Sequence, residues 1–123
     1  MYITNAFSLK MLPEWVAIGL VRFQRLTLEE AQNYVASQDY TSAIGHGDTA
    51  VLFSQLLGVS VPVSRIDVRL IPSIEEHILV GQLTVNSVDE GAEIQWVLVS
   101  FSDDNIIEFD PAVWNGGDYE EGE

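Results

Sequence analysis

A histidine between two glycines is the part of this sequence whose residue types point most directly to chemistry. His46 lies between Gly45 and Gly47, after a short apolar run and directly before a helical pattern. A turn from a strand into a helix directs backbone N–H groups and the positive end of the helix dipole at one place, which favours phosphates. An imidazole exchanges a proton near neutral pH. The stretch therefore predicts a phosphate site with a proton donor; the simpler interpretation is a surface histidine at a helix start.

Three other side chains are suited to an anionic ligand. Ser8 follows a predicted strand, where its hydroxyl would bind a phosphate or a ribose, or simply close a turn. Arg65 and Arg69 are spaced to face one side of an alternating segment, where they would bind phosphates or pair with nearby carboxylates. The acid pairs Glu75-Glu76 and Asp89-Glu90 are typical of solvated turns. Neither the lysine-containing phosphate loop nor the GxGxxG dinucleotide motif occurs.

Composition excludes several kinds of site. The chain of 123 residues contains no cysteine, which excludes disulfides, thiolate catalysis and cysteine-bound zinc. Its two histidines, His46 and His77, are too few for a histidine-rich metal centre, so we expect neither a metal nor a cofactor. No apolar run reaches the ~18 residues of a membrane span, and no secretory signal is visible. We therefore expect a cytoplasmic protein without a membrane partner.

The net charge of −14 is concentrated towards the C-terminal end. Residues 102–123 contain eight acids and no base, whereas residues 1–101 contain eleven acids and five bases. Because like charges repel and extend a chain, we predict a folded domain over residues 1–101 and a solvated acidic tail over residues 102–123. Long DNA or RNA is a poor partner for this charge, since its phosphates are repelled. A small anion in a local pocket is compatible with it.

The hydrophobic patterns predict six strands and two helices. Strands are predicted at residues 2–7, 18–25, 40–44, 65–70, 76–85 and 93–101. The first helix follows a capping box of Thr27 and Glu30 and runs to about residue 37. The second covers residues 49–57, capped by Asp48 or Thr49 and ended by Gly58 in the left-handed conformation. This order predicts a single α/β domain, a mixed β-sheet of about five to six strands flanked by two or more helices.

Four segments of the sequence together resemble the viral ring nucleases, type III anti-CRISPR proteins of archaeal viruses, phages and other mobile elements. The resemblance covers roughly residues 2–90. Its most specific blocks are "Asn-Ala-Phe-Ser" and "Ile-Gly-His", in this order and spacing. The four segments are Tyr2–Leu12 (YITNAFSLKML), Ala43–Thr49 (AIGHGDT), Leu56–Gly58 (LLG) and Ser64–Val68 (SRIDV).

The resemblance implies a small α/β homodimer that binds a cyclic oligoadenylate, typically cyclic tetra-adenylate, across its two-fold axis in the infected cell. It implies metal-independent cleavage in which a ribose 2′-hydroxyl attacks the adjacent phosphate, with the histidine matching His46 as general acid on the departing 5′-oxygen. The serine matching Ser8 and a glutamine matching Gln82 would contact the ligand. Together with the anion-site reasoning, the predicted ligand-binding residues are Asn5, Ser8, Gly45, Gly47, Thr49, Arg65, Gln82 and Glu90.

One departure from the family pattern leaves two alternatives open. The arginine that the family carries a few residues after its glutamine falls on or near Asn86 here, and no Lys or Arg follows Arg69. Loss of that guanidinium favours a sponge that sequesters a cyclic nucleotide without cleaving it. A second alternative, suggested by the −14 charge, is an acidic protein that blocks a basic nucleic-acid-binding groove.

Overall fold

A mixed sheet of five strands runs through the computed structural model, which describes residues 1–71, 76–87 and 91–108. A one-turn 3-10 helix, Leu9–Met11, follows the first strand. In chain order the other elements are β1 (Tyr2–Thr4), β2 (Val16–Leu26), α1 (Leu28–Ala36), β3 (Thr41–Ser42), α2 (Gly47–Leu57), β4 (His77–Ser87) and β5 (Gly91–Glu108). The predicted α/β class, the mixed sheet and the two helices are confirmed.

The strand order is β2-β5-β4-β1-β3, so the short β1 lies between two parallel neighbours. Ile3 of β1 is opposite Ser42 of β3 and Leu79 of β4. The long strands β4 and β5 pair antiparallel, and β5 also pairs antiparallel with β2. The parallel part of the sheet therefore has a carboxyl edge where β1 and β3 end together.

Each face of the sheet has its own hydrophobic cluster. On the helix face, α1 and α2 pack over a cluster that includes Ile3, Phe53, Leu79 and Trp96. On the other face, which we call the loop face, the 3-10 turn and the segment 64–71 cover a second cluster. Its buried members are Met11, Val68, Leu70, Ile78, Val80, Val99 and Phe101. The alternation of β4 and β5 supplies both clusters, because successive side chains point to opposite faces.

The local signals at α1 are confirmed in detail. Thr27 Oγ accepts from the Glu30 N–H at 3.1 Å, and Glu30 Oε1 accepts from the Thr27 N–H at 2.8 Å. This is the capping box that the sequence predicts. Gly58 ends α2 with φ 72°, the left-handed conformation that glycine adopts without steric cost.

The prediction of a strand over residues 65–70 is wrong. This segment forms no ladder; its neighbourhood has only a bridge between Ile44 and Val63. Instead it crosses the loop face, where the Leu70 N–H donates to the Met11 carbonyl at 2.8 Å. Val68 and Leu70 are buried there, whereas Ile66 is exposed. The alternating pattern therefore corresponds to burial of Val68 and Leu70, although the segment has no strand partner.

The predicted boundary of the tail at residue 102 lies inside β5, which continues to Glu108. The first residues of the predicted tail thus pair with the first half of β2, Glu108 opposite Val16. The rest of that tail, residues 109–123, and the predicted turn at Asp89-Glu90 lie outside the described residues.

Candidate functional site

Two of the predicted site residues, Asn5 and Gly45, lie at the carboxyl edge of the parallel strands. The Ala43 N–H donates to the Ile3 carbonyl at 2.8 Å, which holds β1 and the chain after β3 side by side. Asn5 follows β1 and is half-buried, and Gly45 follows the bridged Ile44. In open sheets with parallel strands, ligands bind beyond this edge. The topology therefore brings the two most specific sequence blocks together.

The turn after Ile44 leads directly into α2. His46 is the N-cap residue, with an extended backbone (φ −118°, ψ 133°), and its carbonyl accepts from the Ala50 N–H at 3.0 Å. No side chain caps this helix among the described residues. The expectation that Asp48 or Thr49 caps it is therefore wrong, because the helix begins at Gly47 and both residues lie within its first turn. Its first N–H groups are directed outward beside an exposed imidazole.

The first turn of α2 also contains a negative charge. Asp48 is exposed and lies among the first N–H groups of the helix, where a carboxylate interacts favourably with the dipole. The same charge opposes an incoming anion. Gly47 has open space around it, since a Cβ placed there would meet no atom within 4 Å. Thr49 is half-buried behind it.

Arg65 supplies a positive charge beside this turn. Its Nε donates to the Gly45 carbonyl at 3.0 Å, and a Cβ built on Gly45 would lie 3.1 Å from the Arg65 Cγ. A side chain at residue 45 would therefore crowd the arginine. No carboxylate pairs with the Arg65 guanidinium within the described residues. Arg69 Nη1 lies 3.8 Å from Glu14 Oε2, so this arginine pairs with a carboxylate, one of the two alternatives that the sequence left open.

Ser8 borders a cavity near the site. It is exposed and caps the 3-10 turn, its Oγ accepting from the Lys10 N–H at 3.2 Å. The cavity measures about 650 Å³ and lies between this turn and residues 66–69. Thr4 and Ala43 line it from the carboxyl ends of β1 and β3. The cavity is thus continuous with the strand ends that lead to Asn5 and Gly45.

Gln82 is on β4, two residues beyond the pairing of Val80 with Thr4, and its side chain is exposed. Because Val80 belongs to the loop-face cluster, the period of two directs Gln82 to the same face as the cavity. Glu90, the last predicted ligand residue, lies outside the described residues. Of the predicted set, the structure therefore shows one direct contact, between Gly45 and Arg65.

Sequence reasoning missed three charged residues that line the cavity. Lys10, Glu14 and Asp67 border it together with Arg69. Lys10 lies two residues after Ser8, and this spacing at a strand end was the available signal. The cavity thus has charged residues of both signs on its border.

Other features lie away from this site. A cavity of about 620 Å³ opens on the helix face between α2 and the β4–β5 strands, and none of the predicted site residues lines it. Neither helix within the described ranges is long and apolar enough to cross a membrane. In those same ranges, no three histidine or acidic side chains come together as potential metal ligands.

Comparisons with known proteins relate this chain to viral proteins. Residues 1–95 match a family model described as STIV B116-like. The fold is similar to that of B116 of Sulfolobus turreted icosahedral virus, with a TM-score of 0.66 over 80% of this chain and 97% of that one. The sequence identity in that comparison is 20%. This similarity is one of fold.

A sequence relative is "Uncharacterized protein 26" of Sulfolobus islandicus filamentous virus (isolate Iceland/Hveragerdi). It is 32% identical over 72 residues, which are 57% of this chain. The match spans 58% of the length of that curated relative. Both comparisons point to viral proteins, and neither printed name states an activity.

Proposed function

We propose that this chain, which belongs to the STIV B116-like family of viral proteins, binds a cyclic oligonucleotide second messenger and opens its ring. The ligand that we propose is cyclic tetra-adenylate, the typical ligand of the ring nucleases that the sequence resembles. Removal of this messenger by a viral protein would silence the host nucleases that it activates. The protein would then act against a host defence.

The observation that carries this proposal is the combination of charges at the Gly45-His46-Gly47 turn. The uncapped first turn of α2 directs N–H groups outward, and Arg65 is held beside them by its bond to the Gly45 carbonyl. Both groups favour a phosphate oxygen. The exposed imidazole of His46 is at the same turn. A phosphate bound there would lie beside a group able to donate a proton.

The proposed reaction needs only groups of the ligand and of this site. The 2′-oxygen of one ribose forms a bond to the adjacent phosphorus, and the bond from phosphorus to the 5′-oxygen breaks. His46 gives its proton to the departing 5′-oxygen, and the proton of the 2′-hydroxyl passes to solvent. The product is a linear oligonucleotide with a 2′,3′-cyclic phosphate at one end and a 5′-hydroxyl at the other. Arg65 would stabilise the charge on the phosphoryl oxygens.

The test of cleavage is incubation of the protein with cyclic tetra-adenylate, followed by chromatography of the nucleotides. We expect linear products from the parent protein and a loss of about 100-fold or more in rate for His46→Ala, the typical size of a general-acid contribution. His77→Ala is the matched control, because His77 is on β4 and its ring contacts Tyr34 instead of the site. Equal rates for His46→Ala and the parent would reject the general-acid role.

The test of binding uses Arg65→Gln. We expect a loss of affinity for the ring of roughly 10- to 100-fold, because a charge-assisted hydrogen bond contributes about 1.5–3 kcal/mol. Arg22→Gln is the control, since it removes the same charge from β2 at the opposite edge of the sheet from β3. If the two variants lose equal affinity, the contribution of Arg65 is only general electrostatic attraction.

A second candidate function, the non-catalytic sponge, is favoured by one feature of the sequence. No Lys or Arg follows Arg69, so the arginine that the ring nucleases carry after their glutamine has no counterpart at Asn86. Without that guanidinium, binding would be retained and turnover would be slow or absent. Intact cyclic tetra-adenylate that co-elutes with the protein would support the sponge and reject the nuclease. Absence of both binding and cleavage would reject both.

A further inference from the structure

The helix face has an apolar cavity that the proposed function does not use. It measures about 620 Å³ and lies between the two helices and the paired strands β4 and β5. We call it the helix-face cavity. Its large apolar lining residues are Leu26, Leu28, Leu52, Leu56, Leu83, Ile94 and Trp96.

The sheet forms the floor of this cavity. Leu83 of β4 is opposite Ile94 of β5, and both lie on the same face of the sheet as the buried Trp96. A sheet face presents side chains, because its backbone N–H and C=O groups are directed towards neighbouring strands. An occupant of the cavity therefore has to satisfy its own backbone hydrogen bonds. An α-helix does so along its length.

The two helices form the walls. Leu28 begins α1, and Leu52 and Leu56 lie about one turn apart on α2. Gln32 Nε2 of α1 donates to the Leu56 carbonyl at 2.7 Å, so a hydrogen bond joins the two walls at one end. The spacing of the walls is therefore set within the fold itself.

Three leucines of the helix-face cavity keep much of their surface in water. Leu28 and Leu52 are each 37% exposed, and Leu83 is 51% exposed. They belong to three different elements, α1, α2 and β4, and line the same cavity. Single exposed apolar residues are ordinary on protein surfaces, whereas a contiguous exposed apolar patch marks a site of interaction. This cavity is therefore suited to apolar side chains of a partner.

The charged residues of the two helices beside the cavity are all acidic. Glu29 and Glu30 are in the first turn of α1, and Asp48 lies four residues before Leu52 on α2. Neither helix contains a lysine or an arginine. Complementary charge on a partner would be attracted to this side of the molecule, so a partner that fits is basic.

The arginines of β2 do not reverse the charge at the cavity. Arg25 borders it, but the register places its side chain with that of Val97 on the loop face. Its guanidinium lies 5.7 Å from the centroid of the Phe23 ring, which is on the same loop face. Glu93 also borders the cavity, so the two charges on the border cancel. Arg22 is not among the lining residues.

We infer that the helix-face cavity is a docking site for a basic amphipathic helix of a partner protein. Apolar side chains at positions i, i+3 or i+4 and i+7 of that helix would contact Leu28, Leu52 and Leu83. Basic residues on its flanks would face the acids of α1 and α2. A second copy of this chain fits less well, because neither α1 nor α2 has a basic residue to offer. The inference does not depend on the proposed function.

A synthetic peptide of leucine and lysine tests the inference with the full chain. It has about 14 residues, the length of an ordinary protein helix, and its leucines follow the helical spacing i, i+3, i+4 and i+7. The control peptide has the same composition with leucine at every second position, which gives a helix no apolar face. We expect calorimetry at physiological ionic strength to show an affinity at least about tenfold higher for the helical peptide. Equal affinities, or no binding of either peptide, would overturn the inference.

Substitutions in the cavity locate the bound peptide. Leu52→Gln should lower the affinity for the helical peptide about tenfold, because it removes an apolar contact. Val51→Gln is the matched control, since Val51 is the next residue on α2, is 59% exposed and does not line the cavity. Leu83→Thr repeats the test on the floor if Leu52→Gln disturbs α2, because threonine is suited to a strand. Unchanged affinity in both leucine variants, or an equal loss in Val51→Gln, would overturn the inference.

Charge reversal tests the basic character of the partner. Glu29→Lys should lower the affinity for the helical peptide more than Asp39→Lys, which reverses the same charge in the loop after α1. Equal losses in the two variants would overturn the assignment of a basic partner, because only net charge would then matter. Sedimentation of the chain without peptide provides the remaining comparison. A dimer that Leu52→Gln dissociates would overturn the inference in favour of a second copy.

Discussion

Asp48 places a negative charge at the proposed phosphate site. Its carboxylate is in the first turn of α2, where it occupies the favourable end of the helix dipole that an anionic ligand would use. We therefore expect Asp48→Asn to increase the affinity for a cyclic oligonucleotide about two- to fivefold, the equivalent of 0.3–1 kcal/mol of dipole interaction. Titration calorimetry with cyclic tetra-adenylate measures this change.

Asp39→Asn is the control for that substitution. Asp39 is exposed between α1 and β3, so its replacement removes the same charge from a different part of the surface. An equal gain in affinity for the two variants would show that only net charge matters. A loss of affinity in Asp48→Asn would argue against a ligand phosphate at this helix end.

Gly81 is a second residue at which the effect of a substitution on stability follows from its immediate contacts. A Cβ at this position would lie 2.5 Å from the Trp96 ring and 2.8 Å from the Phe53 ring. Those two buried rings pack against each other with centroids 5.1 Å apart, so neither can retreat freely. We expect Gly81→Ala to lower the free energy of unfolding by about 1–3 kcal/mol, the usual cost of overpacking. Urea denaturation measures it.

Gly47→Ala serves as the comparison, because a Cβ there meets no atom within 4 Å. It should leave the free energy of unfolding within about 0.5 kcal/mol of the parent, as for surface changes in general. Similar losses in both glycine variants would mean that the close packing around Gly81 is not the cause.

Residue-scale prediction from the sequence succeeded at α1 and failed at α2 for a physical reason. The capping box of Thr27 and Glu30 closes within four residues, so the sequence contains all of its partners. At α2, both Asp48 and Thr49 have the chemistry of caps, yet the helix begins earlier, at Gly47. The preceding turn is fixed by the Ile44–Val63 bridge and the Arg65 bond to Gly45, which join residues about 20 positions apart. The sequence pattern next to α2 therefore gives no information about those contacts.

At the scale of elements, the connection after α2 positions Arg65. Ser54 of α2 holds this connection, because its Oγ accepts from the Val61 N–H at 2.9 Å and donates to the Ala50 carbonyl at 2.8 Å. Val61 is buried, so removal of the hydroxyl leaves its N–H without a partner. We expect Ser54→Ala to cost about 1–3 kcal/mol of unfolding free energy. The affinity for the ring should fall as well, since Arg65 is four residues further on.

The matched control for Ser54→Ala is Gln55→Ala, which truncates the exposed neighbour on the same helix. Chemical denaturation should separate the two variants clearly, with Gln55→Ala near the parent. If Ser54→Ala unfolds like the parent, the hydroxyl does not hold the connection.

The same connection shows the limit of element-scale prediction. Arg65–Leu70 alternates apolar and charged residues, the usual pattern of a strand, and half of that pattern is explained by burial of Val68 and Leu70. A strand also needs a neighbour with free N–H and C=O groups, and the sheet ends at β3, a strand of two residues. The segment therefore crosses the loop face and bonds to Met11 instead. Alternation predicts which side chains are buried, while the pairing depends on the rest of the fold.

At the scale of the whole molecule, the proposed ligand predicts a ratio of bound rings to protein chains. A ring with rotational symmetry fits a site formed by two identical chains, so we propose a homodimer with one ring on its two-fold axis. We expect calorimetry to give about one ring for every two chains, and native mass spectrometry to give twice the 13.7 kDa of one chain plus one ligand. One ring for each chain would reject the shared site.

We expect charge to make the proposed dimer dependent on salt. Two copies, each of net charge −14, repel, and added salt screens exposed charges separated by more than about 10 Å at 0.1 M. We therefore expect the dissociation constant of the dimer without ligand, measured by sedimentation, to fall as salt increases. A chain truncated after Glu108 loses five acids and should show a smaller dependence on salt. An equal or larger dependence in the truncated chain would place the opposing charges within residues 1–108 instead of in residues 109–123.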